Sequence, residues 1–131
     1  MTDTRRADSE FDQTLAVAAE ALFLANLLLA PGIAFLVIVW LRRRYGATAG
    51  RLARGHLAQT FFVSLWGGLL LVAFSVAFIA LGGLHWQWTW VMVILYFTCI
   101  HSTLVLFGLF GLSRAMAGHA YRYPLIGPRH E

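Results

Sequence analysis

A chain of 131 residues leaves room for one domain. Its composition, 60% hydrophobic and 12% charged, excludes an ordinary water-soluble fold, which carries about 25% charged residues. The net charge of +4 rests on ten basic residues, all of them arginine. Their clustering beside apolar runs argues for membrane topology and against nucleic acid.

Residues 1–14 form a polar, acidic leader, predicted to be frayed; they lack the basic start of a signal peptide and are expected to be retained. A first span is predicted over 15–41. As one helix it would cover about 40 Å, against a hydrocarbon core of about 30 Å. The excess fits if Glu20 sits at the interface, and Pro31-Gly32 in mid-run predicts a kink. Second and third spans are predicted over 59–83 and 88–112, joined by the short "LHWQWT". They must be antiparallel neighbours, with Trp86, Trp88 and Trp90 among the headgroups. Residues 15–115 thus make a membrane domain, and 116–131 an interfacial tail.

Arginine counts set the expected orientation. Arg42, Arg43, Arg44, Arg51 and Arg54 lie between the first two spans, and Arg114, Arg122 and Arg129 follow the third; only Arg5 and Arg6 lie in the leader. The expectation is an all-α integral membrane protein with three transmembrane helices, N-terminus out and C-terminus in, in the bacterial inner membrane. Ser64, Gly68 and Ser75, with Ala73 and Ala77, give the second span small-residue faces suited to close helix packing.

Few residues carry chemistry. Cys99 is the single cysteine and reads as a small buried hydrophobe. His101 falls near mid-membrane, where an imidazole needs a partner; Thr98 and Ser102 offer hydroxyls, and a contact with another subunit is the alternative. His56 lies about 22 Å of helix rise from the depth of His101, so the two cannot share a haem. His56 and His119 alone match in depth, leaving them, with His101, as weak cofactor candidates; no cofactor or metal is expected. Glu20 and His85, both assigned to the outer side, do not make a hydrolase without a placed nucleophile. Arg42, Arg43 and Arg44 read first as topology determinants and second as contacts for anionic phospholipid. His56 and Gln59, three apart, share a helix face suited to a polar contact with the tail or a partner.

Two stretches carry a family likeness: "RLARGHLAQTFFVSLWGG" entering the second span, and "MAGHAYRYPLIG" after the third. With three spans in this order, the chain resembles the Tic20-like family of small membrane proteins, which includes the bacterial DUF4870 proteins. There a segment like "EHGKEALNFQ" opens the second span and "YRYPL" closes the domain. The likeness covers roughly residues 25–127 and departs from the pattern at Arg51 and Arg54, where an acidic residue is common. It implies a three-span fold and marks Tyr121, Arg122 and Tyr123 as a docking segment. Pro124 is expected to stop the third helix from running on.

The expected function is that of a non-enzymatic accessory subunit packed against a larger membrane complex of the respiratory, photosynthetic or other energy-converting kind. The alternatives are a Tic20-like component of protein translocation or membrane-protein assembly, and a haem- or metal-binding electron carrier.

Overall fold

A computed structural model describes residues 2–124 and is all-helical over them. Helices α1 (Thr2–Leu28), α2 (Ile33–Tyr45), α3 (Arg51–Gly82) and α4 (Gln87–Met116) follow in order. Three of them, α1, α3 and α4, are long and apolar enough to cross a membrane. The chain is thus a multi-pass membrane protein by its helices.

The leader is helical, not frayed. No Gly or Pro interrupts residues 2–28, Asp3 complements the dipole of the first turn, and Arg6 pairs with Glu10 at 3.2 Å one turn on. The exposed pair adds little by itself. What holds the leader is its continuity with the apolar face that begins at Leu15.

The expected first span is two helices rather than one kinked helix. Pro31 lacks an N–H, and Gly32 takes φ 85°, a conformation that a β-carbon resists. The Asn26 carboxamide accepts the Gly32 N–H at 2.9 Å and fixes the turn. The chain therefore doubles back, and the Phe11 and Tyr45 rings meet edge to face with centroids 5.8 Å apart. The Asp12 carboxylate accepts the Ala53 N–H at 3.4 Å, and the Gln13 carboxamide donates to the Met116 carbonyl at 2.7 Å. The leader thus lies beside the first loop and the end of α4. The expected placement of the N-terminus opposite the loop and tail is corrected, because reversal at Pro31-Gly32 returns the chain to the end it left. All nine arginines among the described residues gather toward that end.

The tip of the α1–α2 hairpin stops short. Pro31 and Gly32 share a cavity of about 330 Å³ with Leu71, Phe97 and His101. Beyond Leu71, α3 runs on to Gly82, a further rise of roughly 16 Å. In that outer half, among the described residues, α3 and α4 pack on each other. The Tyr96 hydroxyl donates to the Leu70 carbonyl at 2.7 Å, and the buried Thr89 side chain packs on Gly82. The remaining surface there is apolar and exposed, including Val76, Leu81, Trp88 and Ile94.

Two clusters make the core. One, nearer the arginine end, is built from small residues (Ala16, Ala19, Ala49, Ala53 and Ala115) with Leu15, Leu41 and Leu57. The other holds Phe23, Ile38, Val63, Leu71, Leu104 and Tyr123. The close helix approach falls between α1 and α4, where Gly108, Gly111 and Ala115 are buried. Of the small residues noted in the second span, Ser64 is buried, while Gly68, Ala73 and Ala77 are exposed.

Candidate functional site: a buried clasp at the arginine end

Two elements of the clasp are helical. Glu20 lies on the buried face of α1 with Ala16, Ala19 and Phe23. His56, Gln59 and Thr60 lie on the buried face of α3. The third element is the tail, and its path is set by Gly118. That residue takes φ 73°, its N–H donates to the Ala115 carbonyl at 3.0 Å, and the His119 N–H donates to the Arg114 carbonyl at 2.8 Å. This pairing is a Schellman turn, which ends a helix and redirects the chain. It, rather than Pro124, terminates α4, whose last residue is Met116.

The redirected tail folds onto α1 and α3. Tyr123 becomes fully buried (0% exposed), its ring edge-on to Phe23 at 5.3 Å and to Tyr121 at 5.1 Å. Its hydroxyl donates to Glu20 Oε2, and its backbone N–H donates to Gln59 Oε1 at 3.1 Å. Glu20 Oε1 lies 2.5 Å from His56 Nδ1. His56 Nε2 lies 2.9 Å from the His119 carbonyl. Thr60 closes the set by donating to the His56 carbonyl at 2.9 Å. Gly111 of α4 makes the room: a β-carbon there would stand 2.5 Å from Glu20 Oε2 and 2.8 Å from the Tyr123 hydroxyl.

The protonation pattern follows from the donors. A carbonyl oxygen only accepts, so His56 Nε2 carries a hydrogen. One further proton is then shared between His56 Nδ1 and Glu20 Oε1. Whichever atom holds it, acid and imidazole together carry no net charge. That is the arrangement a low-dielectric interior tolerates, since an unpaired buried charge is very costly.

The Tyr123 phenol is pushed far above the ordinary tyrosine range, first by burial and then by the Glu20 carboxylate beside it. Burial and Glu20 also raise Tyr121, with Arg114 opposing. A raised phenol favours the fold fully below the ordinary value of about 10 and progressively less above it, because the unfolded chain then releases a proton that the folded chain keeps. In an absorbance titration of the four tyrosines, Tyr123 is expected to ionise only as the fold is lost, and Tyr123→Phe to remove that late step. A Tyr123 that titrates with the others near pH 10 would contradict the clasp.

The remaining site residues fall into place around it. His56 and Gln59 both touch the tail, through His119 and Tyr123. Glu20 is not an interfacial carboxylate on the outer side; it is fully buried at the arginine end, remote from His85 in the far connection. The reversal at Pro31-Gly32 is the reason. His56 and His119 meet, but through the backbone carbonyl of His119, and both His56 ring nitrogens are engaged within the chain. Among the described residues no group of three or more His, Cys, Asp or Glu side chains could hold a metal. His101 stacks on Phe97 (centroids 5.6 Å apart) and lines the mid-membrane cavity. Cys99 is exposed on α4 rather than buried. The arginine run divides: Arg42 lies over Phe61, Arg44 over Tyr45, and Arg43 is exposed. Arg122 is exposed next to the buried Tyr123.

Sequence reasoning missed Glu20 as the centre of this set. A signal was available: a lone acid in an apolar run needs a partner, and His56 and His119 were the imidazoles flanking spans on the side of the tail. Comparison with family models, curated proteins and solved structures finds no match.

Proposed function

We propose that the chain is a small accessory subunit that packs against a larger membrane complex, of an energy-converting kind, in a bacterial inner membrane. The carrying observation is the division of labour in the fold. The buried polar side chains of the clasp engage one another, tying α1, α3 and tail together, while the outer half of α3–α4 stands uncovered by the other described residues. That half offers exposed small residues, Ala73 and Ala77, beside large apolar ones, Phe74 and Val76, which is the relief close helix packing uses. A tagged copy extracted in mild detergent is expected to bring larger subunits with it in fixed ratio. Ala73→Trp should reduce that yield severalfold without lowering the thermal stability of the isolated chain. Recovery only as a free monomer or homo-oligomer would overturn the reading.

In this reading the arginine end faces the cytoplasm, and the α1–α2 hairpin enters and leaves the bilayer on that side. In a Cys99→Ser background, single cysteines at Ser9, Thr48 and Ala117 are expected to react with a membrane-impermeant maleimide only from the cytoplasmic side, and a cysteine at His85 only from the other. Labelling of Ser9 and Thr48 positions from opposite sides would reject the hairpin.

One observation favours the second reading, a Tic20-like role in translocation or assembly. The two stretches that carry the resemblance meet in the clasp, through His56, Gln59 and Tyr123. Crosslinks from α3 and α4 that capture diverse passenger chains, rather than one fixed set of subunits, would favour it over the first.

A further inference from the structure

Between the end of α2, the first turns of α3 and the tail lies a cleft of about 1080 Å³. Arg42, Arg51 and Arg54 line it together with Gly55, Ala58 and Ala120, and among the described residues no acidic side chain does. Of the five α3 contributors, Arg51, Arg54, Gly55 and Ala58 fall at i, i+3, i+4 and i+7, one continuous stripe, and Leu57 reaches the cleft from the core side. The neighbouring stripe, with Ala53, His56 and Thr60, belongs to the core. Asp12 faces that neighbouring stripe, where it accepts the Ala53 N–H.

Two of the three guanidiniums are held in place before any ligand arrives. Arg42 lies 4.3 Å from the centroid of Phe61 and 5.2 Å from that of Phe62, so its charge stands where the apolar part of α3 begins. Arg54 donates one N–H to the Ala49 carbonyl at 2.9 Å, which leaves the rest of its fork for another acceptor. Below the cleft the α3 stripe continues into exposed Leu65 and Leu69, and Phe35 of α2 stacks on Phe61 of α3 (centroids 5.8 Å apart). A basic cavity opening onto a lipid-facing apolar wall matches an amphiphile with an anionic head. Guanidinium forks match phosphate oxygens pairwise.

The geometry points to a specific site for the phosphodiester headgroup of an anionic phospholipid, with its acyl chains along the α2–α3 wall. The site is distinct from general attraction by the 42–44 run, because only Arg42 of that run reaches the cleft. It does not depend on the accessory-subunit reading, and loss of co-purification would leave it standing.

Purified full chain in neutral detergent would be titrated calorimetrically with dihexanoyl phosphatidylglycerol, dihexanoyl phosphatidylcholine and inorganic phosphate. The phosphatidylglycerol is expected to saturate at one per chain, while the other two do not saturate over the same range. Arg51→Ala with Arg54→Ala should weaken binding at least tenfold. Ala58→Trp, which plugs the cleft without changing charge, should do the same and decides the matter if the arginine variant fails to fold. Arg43→Ala with Arg44→Ala removes equal charge outside the cleft and should change affinity less than twofold. Equal loss in the two double variants, or no loss with Ala58→Trp, would overturn the site. Inorganic phosphate binding as tightly as the lipid would overturn its assignment to a lipid headgroup.

Discussion

Glu20→Ala is expected to destabilise the bundle by about 3–5 kcal/mol. The substitution removes the partner of two buried donors at once, His56 at 2.5 Å and the Tyr123 hydroxyl. Both residues stay buried, His56 at 1% exposure, so water cannot replace what is lost. Thermal unfolding in detergent should fall by roughly 10 °C or more. Glu20→Gln sharpens the result. Its carbonyl can accept from Tyr123 and its amide can donate to His56 Nδ1, so it should recover more than half of the loss if acid and imidazole are normally neutral. A Glu20→Ala protein that melts within about 2 °C of the parent would remove the clasp as the organising feature.

Tyr123→Ala is the second large effect, and it separates the tail from the helices. The ring belongs to the mid-bundle core with Phe23, Val63 and Leu104, and truncating a buried aromatic costs about 3–5 kcal/mol. The same change takes the hydroxyl from Glu20. Tyr123→Phe keeps the packing and forfeits only that hydrogen bond, worth about 1–2 kcal/mol. The readout is local as well as global. With its anchor gone the tail should open, and trypsin should cut after Arg122 at least tenfold faster in the alanine variant than in the phenylalanine one. Equal cutting of parent and Tyr123→Ala would show that the ring does not hold the tail.

Much of this fold is legible in the sequence, and its failures have one source. The apolar runs locate α3 and α4 well, because "LHWQWT" leaves no room for anything except an antiparallel pair. The first run misleads because hydropathy records how apolar a stretch is and not whether it reverses. Pro31-Gly32 marks both a kink and a turn. The discriminating clue was length: some 40 Å of helix for a 30 Å core is resolved more simply by a hairpin than by tilt. Had the reversal been read, the leader arginines would have joined the others on one side. Glu20 would then have fallen next to His56 instead of His85. The tail contact was within reach because His56, Gln59 and the Tyr121–Tyr123 segment share a depth whatever the first span does. The divided fates of Arg42, Arg43 and Arg44 were not, since three adjacent helix positions point in three directions, and only the neighbouring α3 decides which of them is enclosed.

The Schellman turn at Gly118 also sets an order of events. Glu20 and His56 leave the ribosome early, whereas the hydroxyl that completes the acid's shell is made 103 residues after it. Through most of its synthesis the first hairpin carries a carboxylate with one partner instead of two. Closure waits on a segment that must first pass α4 and then swing back past it. A ribosome halted soon after Gly118 would therefore release helices of full length around an incompletely satisfied acid. That is the kind of half-finished membrane bundle that quality-control proteases and insertion chaperones distinguish from a finished one.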